Sequence, residues 1–170
     1  MPFTLTIDES NGAGEVQTAN ISNINFGSQD APNLAIATNP VVAGQNSFEK
    51  WLRLHISDMG SCLRVSNLRI WRTGSLAAET AIKTNVRTAS YDGAQTYAQP
   101  SQSDRSATYK YTQDLPSSEP VSANLGIGGS LSGALTATGY SDYWIMQAQT
   151  TDDAVAGSTF TITAEYDRVD

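Results

Sequence analysis

His55 is the only histidine and Cys62 the only cysteine in the chain, and those two counts narrow the chemistry open to it. A hydrolase of the Ser-His-Asp type would have to be built on His55, yet no Gly-x-Ser-x-Gly turn is present to raise a serine nucleophile. No His-x-x-x-His or Cys-x-x-Cys spacing supplies a zinc site, and a disulfide within the chain is excluded. Cys62 therefore reads as a small buried hydrophobe. His55 reads as an outward strand residue paired with its neighbours Glu49 or Arg53. The acidic stretches Asp8-Glu9-Ser10-Asn11-Gly12 and Asp152-Asp153 raise the question of calcium, but neither has the ligand spacing of an EF-hand loop. They read as solvated turn carboxylates. Two carboxylates converging in space would make a glycosidase pair, although nothing in the sequence selects one. The run Gly126-Ile127-Gly128-Gly129-Ser130 has neither a Gly-Lys-Ser/Thr continuation nor a following amphipathic helix, so it is no phosphate cradle. Its glycines mark a connection where backbone approaches backbone closely. No catalytic, cofactor-binding or metal-binding residue is expected, and the chain is read as not an enzyme.

Chemistry of recognition is better represented. In Phe48-Glu49-Lys50-Trp51-Leu52-Arg53-Leu54-His55-Ile56, alternation puts Leu52, Leu54 and Ile56 on one face and Glu49, Trp51, Arg53 and His55 on the other. In the next strand, over 62–72, Trp71 and Arg69 likewise lie opposite Leu68 and Ile70. Two tryptophans with two arginines have the composition of a binding hot spot if that face is wet. They are ordinary core if a second layer covers it, and alternation does not say which.

The elements that hold these residues are strands. At 170 residues the chain has the length of one domain able to bury a core without staples. Only 16% of residues are charged, and the polar remainder is rich in Ser, Thr, Asn, Gln and Gly, which suits sheets and turns better than helix surfaces. Strands are expected at 3–7, 19–26, 48–56, 62–72, 81–87, 108–112, 143–150 and 158–166, with a helical turn at 76–80. Leu63 and Val65 are out of phase with Leu68 and Ile70, which requires a β-bulge at Ser66-Asn67. The pairs 48–56 with 62–72 and 143–150 with 158–166 read as hairpins. Trp144, Met146 and Ala148 share one side of their strand, with Tyr143, Ile145 and Gln147 on the other. The sum is an all-β, antiparallel β-sandwich over 1–170, jelly-roll or immunoglobulin-like, with long ordered loops at about 27–47 and 115–140. Loops of that length inside a domain tend to be functional.

A net charge of −7, from ten basic and seventeen acidic residues, argues against nucleic acid as the partner. Met1-Pro2-Phe3-Thr4-Leu5-Thr6 has neither the basic start nor the apolar core of a secretory leader, and no run approaches the roughly 20 apolar residues of a membrane span. Synthesis in a cytoplasm, without membrane association, is the expectation.

Two segments carry a family resemblance. One is Asn25-Phe26-Gly27-Ser28-Gln29-Asp30-Ala31-Pro32-Asn33-Leu34, continuing through Pro40, Ala43-Gly44 and Asn46-Ser47-Phe48-Glu49-Lys50-Trp51. The other is Ser122-Ala123-Asn124-Leu125-Gly126-Ile127-Gly128-Gly129-Ser130-Leu131-Ser132-Gly133, continuing to Gly139-Tyr140-Ser141-Asp142-Tyr143. Together they resemble uncharacterised virion structural proteins of tailed bacteriophages. The resemblance implies a head-decoration or minor capsid role, location in the virion, a homo-oligomer on the particle, and partners among the major capsid or other virion proteins. In that role Leu34, Ile36, Val41, Val42, Ile127 and Leu131 of the two loops would dock on neighbours, beside the candidates Trp51, Arg53, Arg69 and Trp71. The alternative is a carbohydrate-binding β-sandwich on a phage appendage, with Trp51 or Trp71 and tyrosines stacked on sugar rings.

Overall fold

Period-two alternation becomes two stacked antiparallel sheets in the computed structural model, which describes residues 2–170. The chain runs β1 (Thr4–Asn11), β2 (Val16–Thr18), β3 (Lys50–Asp58), β4 (Arg64–Ser75), β5 (Thr80–Thr84), one helical turn α1 (Ser106–Tyr109), β6 (Gln113–Asp114), β7 (Ala134–Leu135), β8 (Gly139–Tyr140), β9 (Trp144–Thr150) and β10 (Thr159–Val169). The larger sheet has the order β2-β1-β3-β9-β5-β6, with β8 also paired to β3; the smaller has the order β10-β4-β7.

Between them lies one apolar core. Leu52, Leu54 and Ile56 of β3 and Trp144, Met146 and Ala148 of β9 meet Val65, Leu68 and Ile70 of β4, with Phe160, Ile162, Ala164 and Tyr166 of β10 packed against them. Each fully buried side chain of this kind contributes about 1.5–3 kcal/mol. Cys62 joins the same core, as its reading required. A β-bulge is also present, one residue beyond the expected Ser66-Asn67. Asn67 and Leu68 of β4 stand opposite the single Tyr166 of β10, because the register steps from Glu165↔Arg69 to Asp167↔Ser66. Asn67 takes a φ of 55°, which an asparagine tolerates better than most residues.

Neither expected hairpin forms. β3 and β4 lie in different sheets, as do β9 and β10, so each connection turns a corner of the sandwich. β3 is flanked instead by β1 and β9, with Ser10↔Trp51 and Trp51↔Ile145 in register. Other expectations are corrected too. Residues 19–26 are not a strand, and the partner of β1 is the short β2 across the turn at 12–15. Residues 76–80 are not helical, and β5 begins at Thr80. The alternating run 108–112 is broken by α1 and by Lys110, whose φ is 56°. The loops at 27–47 and 115–140 carry turns, bends and only the short strands β7 and β8, the latter ending the second loop.

Candidate functional site

The face of the larger sheet that points away from the core is sealed by the chain itself. Trp51 is 0% exposed, at the centre of a second cluster with Tyr111, Tyr143 and Ile145. The segment 95–111 crosses it. Ring centroids of Tyr97, Tyr109 and Tyr143 stand 5.3, 5.0 and 5.2 Å from that of Trp51, all near edge-on. Glu49 ties the segment down. Its buried carboxylate accepts from Tyr111 Oη at 2.8 Å, Arg105 Nε at 3.0 Å, Trp51 Nε1 at 3.1 Å and the Ser101 amide at 3.3 Å. The Arg105 guanidinium completes a bidentate pair with Glu49 and lies 4.6 Å from the centre of the Tyr109 ring. Gln147 donates to the carbonyls of Ser47, Ser101 and Ser103 from the same face. Burial and the Glu49 carboxylate beside it push the Tyr111 phenol well above its ordinary value of 10.0.

At the rim of this face His55 is partly exposed. Its Nδ1 lies 2.8 Å from Asp8 Oδ2, and its ring stacks on Tyr140 at 4.2 Å. The expected partners Glu49 and Arg53 are not the ones it finds, because β1 pairs on this edge and brings Asp8 beside Arg53 in register. Arg53 lies 4.4 Å from the rings of both Tyr140 and Tyr143. Tyr143 Oη bonds Ser10 and Glu15, and burial followed by the Glu15 acceptor pushes its phenol up to about 12. No hydroxyl or thiol is hydrogen-bonded to His55 among the described residues.

The reading of Asp8 and Glu9 as solvated turn carboxylates is overturned: β1 runs on through them, and they are 1% and 0% exposed. Glu9 faces the other side of the sheet, where Lys50 Nζ lies 2.9 Å from its Oε1 and also donates to the Ala31 carbonyl at 2.8 Å. Burial pushes the Glu9 carboxyl up by more than Lys50 draws it down. Asp30 then fastens the 27–47 loop to the first turn, accepting from Asn11 Nδ2 at 2.7 Å and the Gly12 amide at 2.8 Å. No group of three or more His, Cys, Asp or Glu converges to hold a metal among the described residues.

The opposite region is open. A slot of about 840 Å³ lies between the sheets, lined by Ile7, Ile24, Phe26, Ile82, Phe160 and Ile162. The 27–47 loop forms one lip and residues 154–158 the other, bonded through Gly44 N to Thr151 O at 2.9 Å and Thr150 Oγ1 to Gln45 O at 2.8 Å. At this mouth Ile36, Val42 and Val155 are 53%, 55% and 60% exposed.

The docking candidates divide accordingly. Ile36 and Val41 line the slot, Val42 stands on its lip, and Leu131 is half-buried in the other loop. Leu34 and Ile127 are buried within the chain, so neither offers surface to a neighbour. Trp51 and Trp71 are buried as well. The four-residue hot spot does not assemble, because Trp51 and Arg53 lie on the outer face of one sheet and Arg69 and Trp71 on that of the other. Arg69 is engaged within the chain by Glu119 at 3.2 Å and Glu165 at 2.7 Å. The sequence reading missed the slot and the covering segment 95–111, whose signal was its concentration of Tyr97, Tyr109, Tyr111 and Arg105. The glycine-rich run behaves as read. A Cβ at Gly133 would collide with the Ile127 carbonyl, and one at Gly126 with Asp142 and Tyr91.

Compared with known proteins, the chain matches no family model, no curated protein and no solved structure.

Proposed function

We propose that this protein is a structural component of a tailed-bacteriophage virion, a capsid decoration protein that binds neighbouring capsid subunits and copies of itself. One observation carries the reading beyond the resemblance of residues 25–51 and 122–143. The 27–47 loop is held at both ends by buried or paired polar groups, yet presents Ile36 and Val42 to solvent beside Val155. Solvent-exposed apolar side chains on a pinned loop lose little conformational entropy when they dock. Each Å² of apolar surface removed from water there contributes about 25 cal/mol. On a lattice, many such contacts add through high effective concentration. The output is shell stability rather than turnover.

The carbohydrate-binding alternative loses its main support, since Trp51 and Trp71 have no free ring face to offer a sugar. Co-sedimentation of the purified chain with heads that lack it tests the proposal. Saturable binding that raises the temperature at which heads release DNA is expected. Heads that neither bind the chain nor gain heat resistance would remove the decoration role.

A further inference from the structure

Of the four outer edges of the two sheets, three end on strands of two or three residues: β2 and β6 in the larger sheet and β7 in the smaller. A short edge strand gives a neighbour almost no template to pair with. The fourth edge is β10, eleven residues long, with neither proline nor lysine to blunt it. Among the described residues β10 pairs with β4 alone, so along its other side the amide and carbonyl groups that point away from β4 have no strand partner. The bulge in this pairing lies on β4, and β10 itself runs regularly through it. The apolar slot borders the same strand, reaching both its inward residues Phe160 and Ile162 and its outward residues Thr159 and Thr161.

We propose that β10 is a self-association edge. It pairs antiparallel with β10 of a second copy about a twofold axis through Thr163, giving one continuous sheet with three strands from each copy. The strand is complementary to itself in this register. Phe160 stands opposite Tyr166 of the second copy and Ile162 opposite its Ala164, so core-facing side chains meet core-facing side chains. On the outer face Thr161 meets Glu165 of the second copy and Thr159 meets its Asp167, so no two carboxylates oppose each other. Centring the axis on Glu165 would set that carboxylate against its own copy, which is destabilising. The register through Thr163 also brings the aromatic end of the second strand to the mouth of the slot.

This pairing deepens the assembly reading by naming a surface and a partner, and its test uses purified full-length protein with no particles present. Sedimentation velocity should show a concentration-dependent dimer. Thr163→Asp, which sets two carboxylates face to face on the axis, should weaken dimerisation by about tenfold or more while leaving the β-sheet circular dichroism unchanged. Thr163→Cys should be trapped as a covalent dimer on mild oxidation. Thr73→Cys, one strand further in on the same outer face, should not, and the native thiol of Cys62 is buried. A chain that stays monomeric at every concentration overturns the pairing. So does a dimer indifferent to T163D, or trapping of T163C no faster than T73C. If T163D fails to fold, the trapping comparison alone decides. Loss of particle binding with the dimer intact would count against the virion reading and leave this one standing.

Discussion

The outer face of the larger sheet and the slot side of the sandwich pose the same physical problem and receive opposite treatments. Both begin as apolar or aromatic surface on a sheet. Over Trp51 the chain lays the segment 95–111 and fixes it with Glu49, Arg105, Tyr111 and Gln147, each hydrogen-bonded within the layer. Beside β10 the covering is partial: the rings of Phe3 and Phe26 pack on Tyr166 and Phe160. The slot stays open, its lips carry exposed Ile36, Val42 and Val155, and the side of β10 away from β4 has no strand partner among the described residues. A buried polar network specifies one closed arrangement, whereas an open apolar slot beside a free edge keeps its binding capacity for another molecule. The location of the buried polar network separates the sealed face from the one proposed to associate.

Perturbing the two regions should give effects that fall in a definite order. The largest belongs to Glu49→Ala, which leaves Arg105, Tyr111 and Trp51 without their common acceptor; urea unfolding should show a loss of about 3–5 kcal/mol. A loss below the error of that measurement would mean the sealed face is not held by this carboxylate. Next is Gly133→Ala, whose new methyl meets the Ile127 carbonyl and should destabilise by about 1–3 kcal/mol in the same assay.

Alkaline pH should act more gently and again on the sealed side. Tyr143 has an ordinary phenol value of 10.0 when unfolded and is pushed up to about 12 by burial when folded. Tyr97 and Tyr111 are pushed upward as well. A raised folded value means the native state holds its proton longer. The stability this confers is therefore complete below 10 and is lost as pH rises toward the folded value. Thermal melts of Tyr143→Phe should decline less steeply than wild type over that interval; an equal slope would remove Tyr143 from the account. The smallest stability effect belongs to the open side. The double variant Ile36→Asp with Val42→Asp should melt within about 0.5 kcal/mol of wild type, yet lose binding to particles in co-sedimentation. A folded double variant that still binds would separate the lip from the docking surface.

The scaffold behind this contrast, though not the contrast itself, is legible in the sequence. Alternation assigned Leu52, Leu54 and Ile56 to one side of their strand and Trp51 to the other, and the phase slip between Val65 and Leu68 located the bulge. The glycines of 126–133 announced close backbone approach. What alternation cannot report is which strand lies alongside. A period of two fixes the side of a residue and leaves its neighbour open, so 48–56 with 62–72 and 143–150 with 158–166 look like hairpins in the sequence although their turns are corners between sheets. The same gap hid Asp8 and Glu9, whose acidic run resembles a turn in isolation but is sheltered once β1 lies between β2 and β3. The Thr108–Thr112 run alternates correctly, yet its tyrosines pack across the sheet face instead of along a strand, and Lys110 breaks the extended path. The slot was invisible for a similar reason: it depends on how far β10 stands from the edge of the facing sheet.

Electron cryo-microscopy of intact virions assembled in cells that make this chain would decide whether it docks there and through which side. Density for the sandwich is expected on the capsid lattice, with the lip formed by Ile36, Val42 and Val155 against a neighbouring subunit and the segment 95–111 turned to solvent. A chain absent from the particle, or seated with segment 95–111 against the shell and the slot side bare, would contradict it.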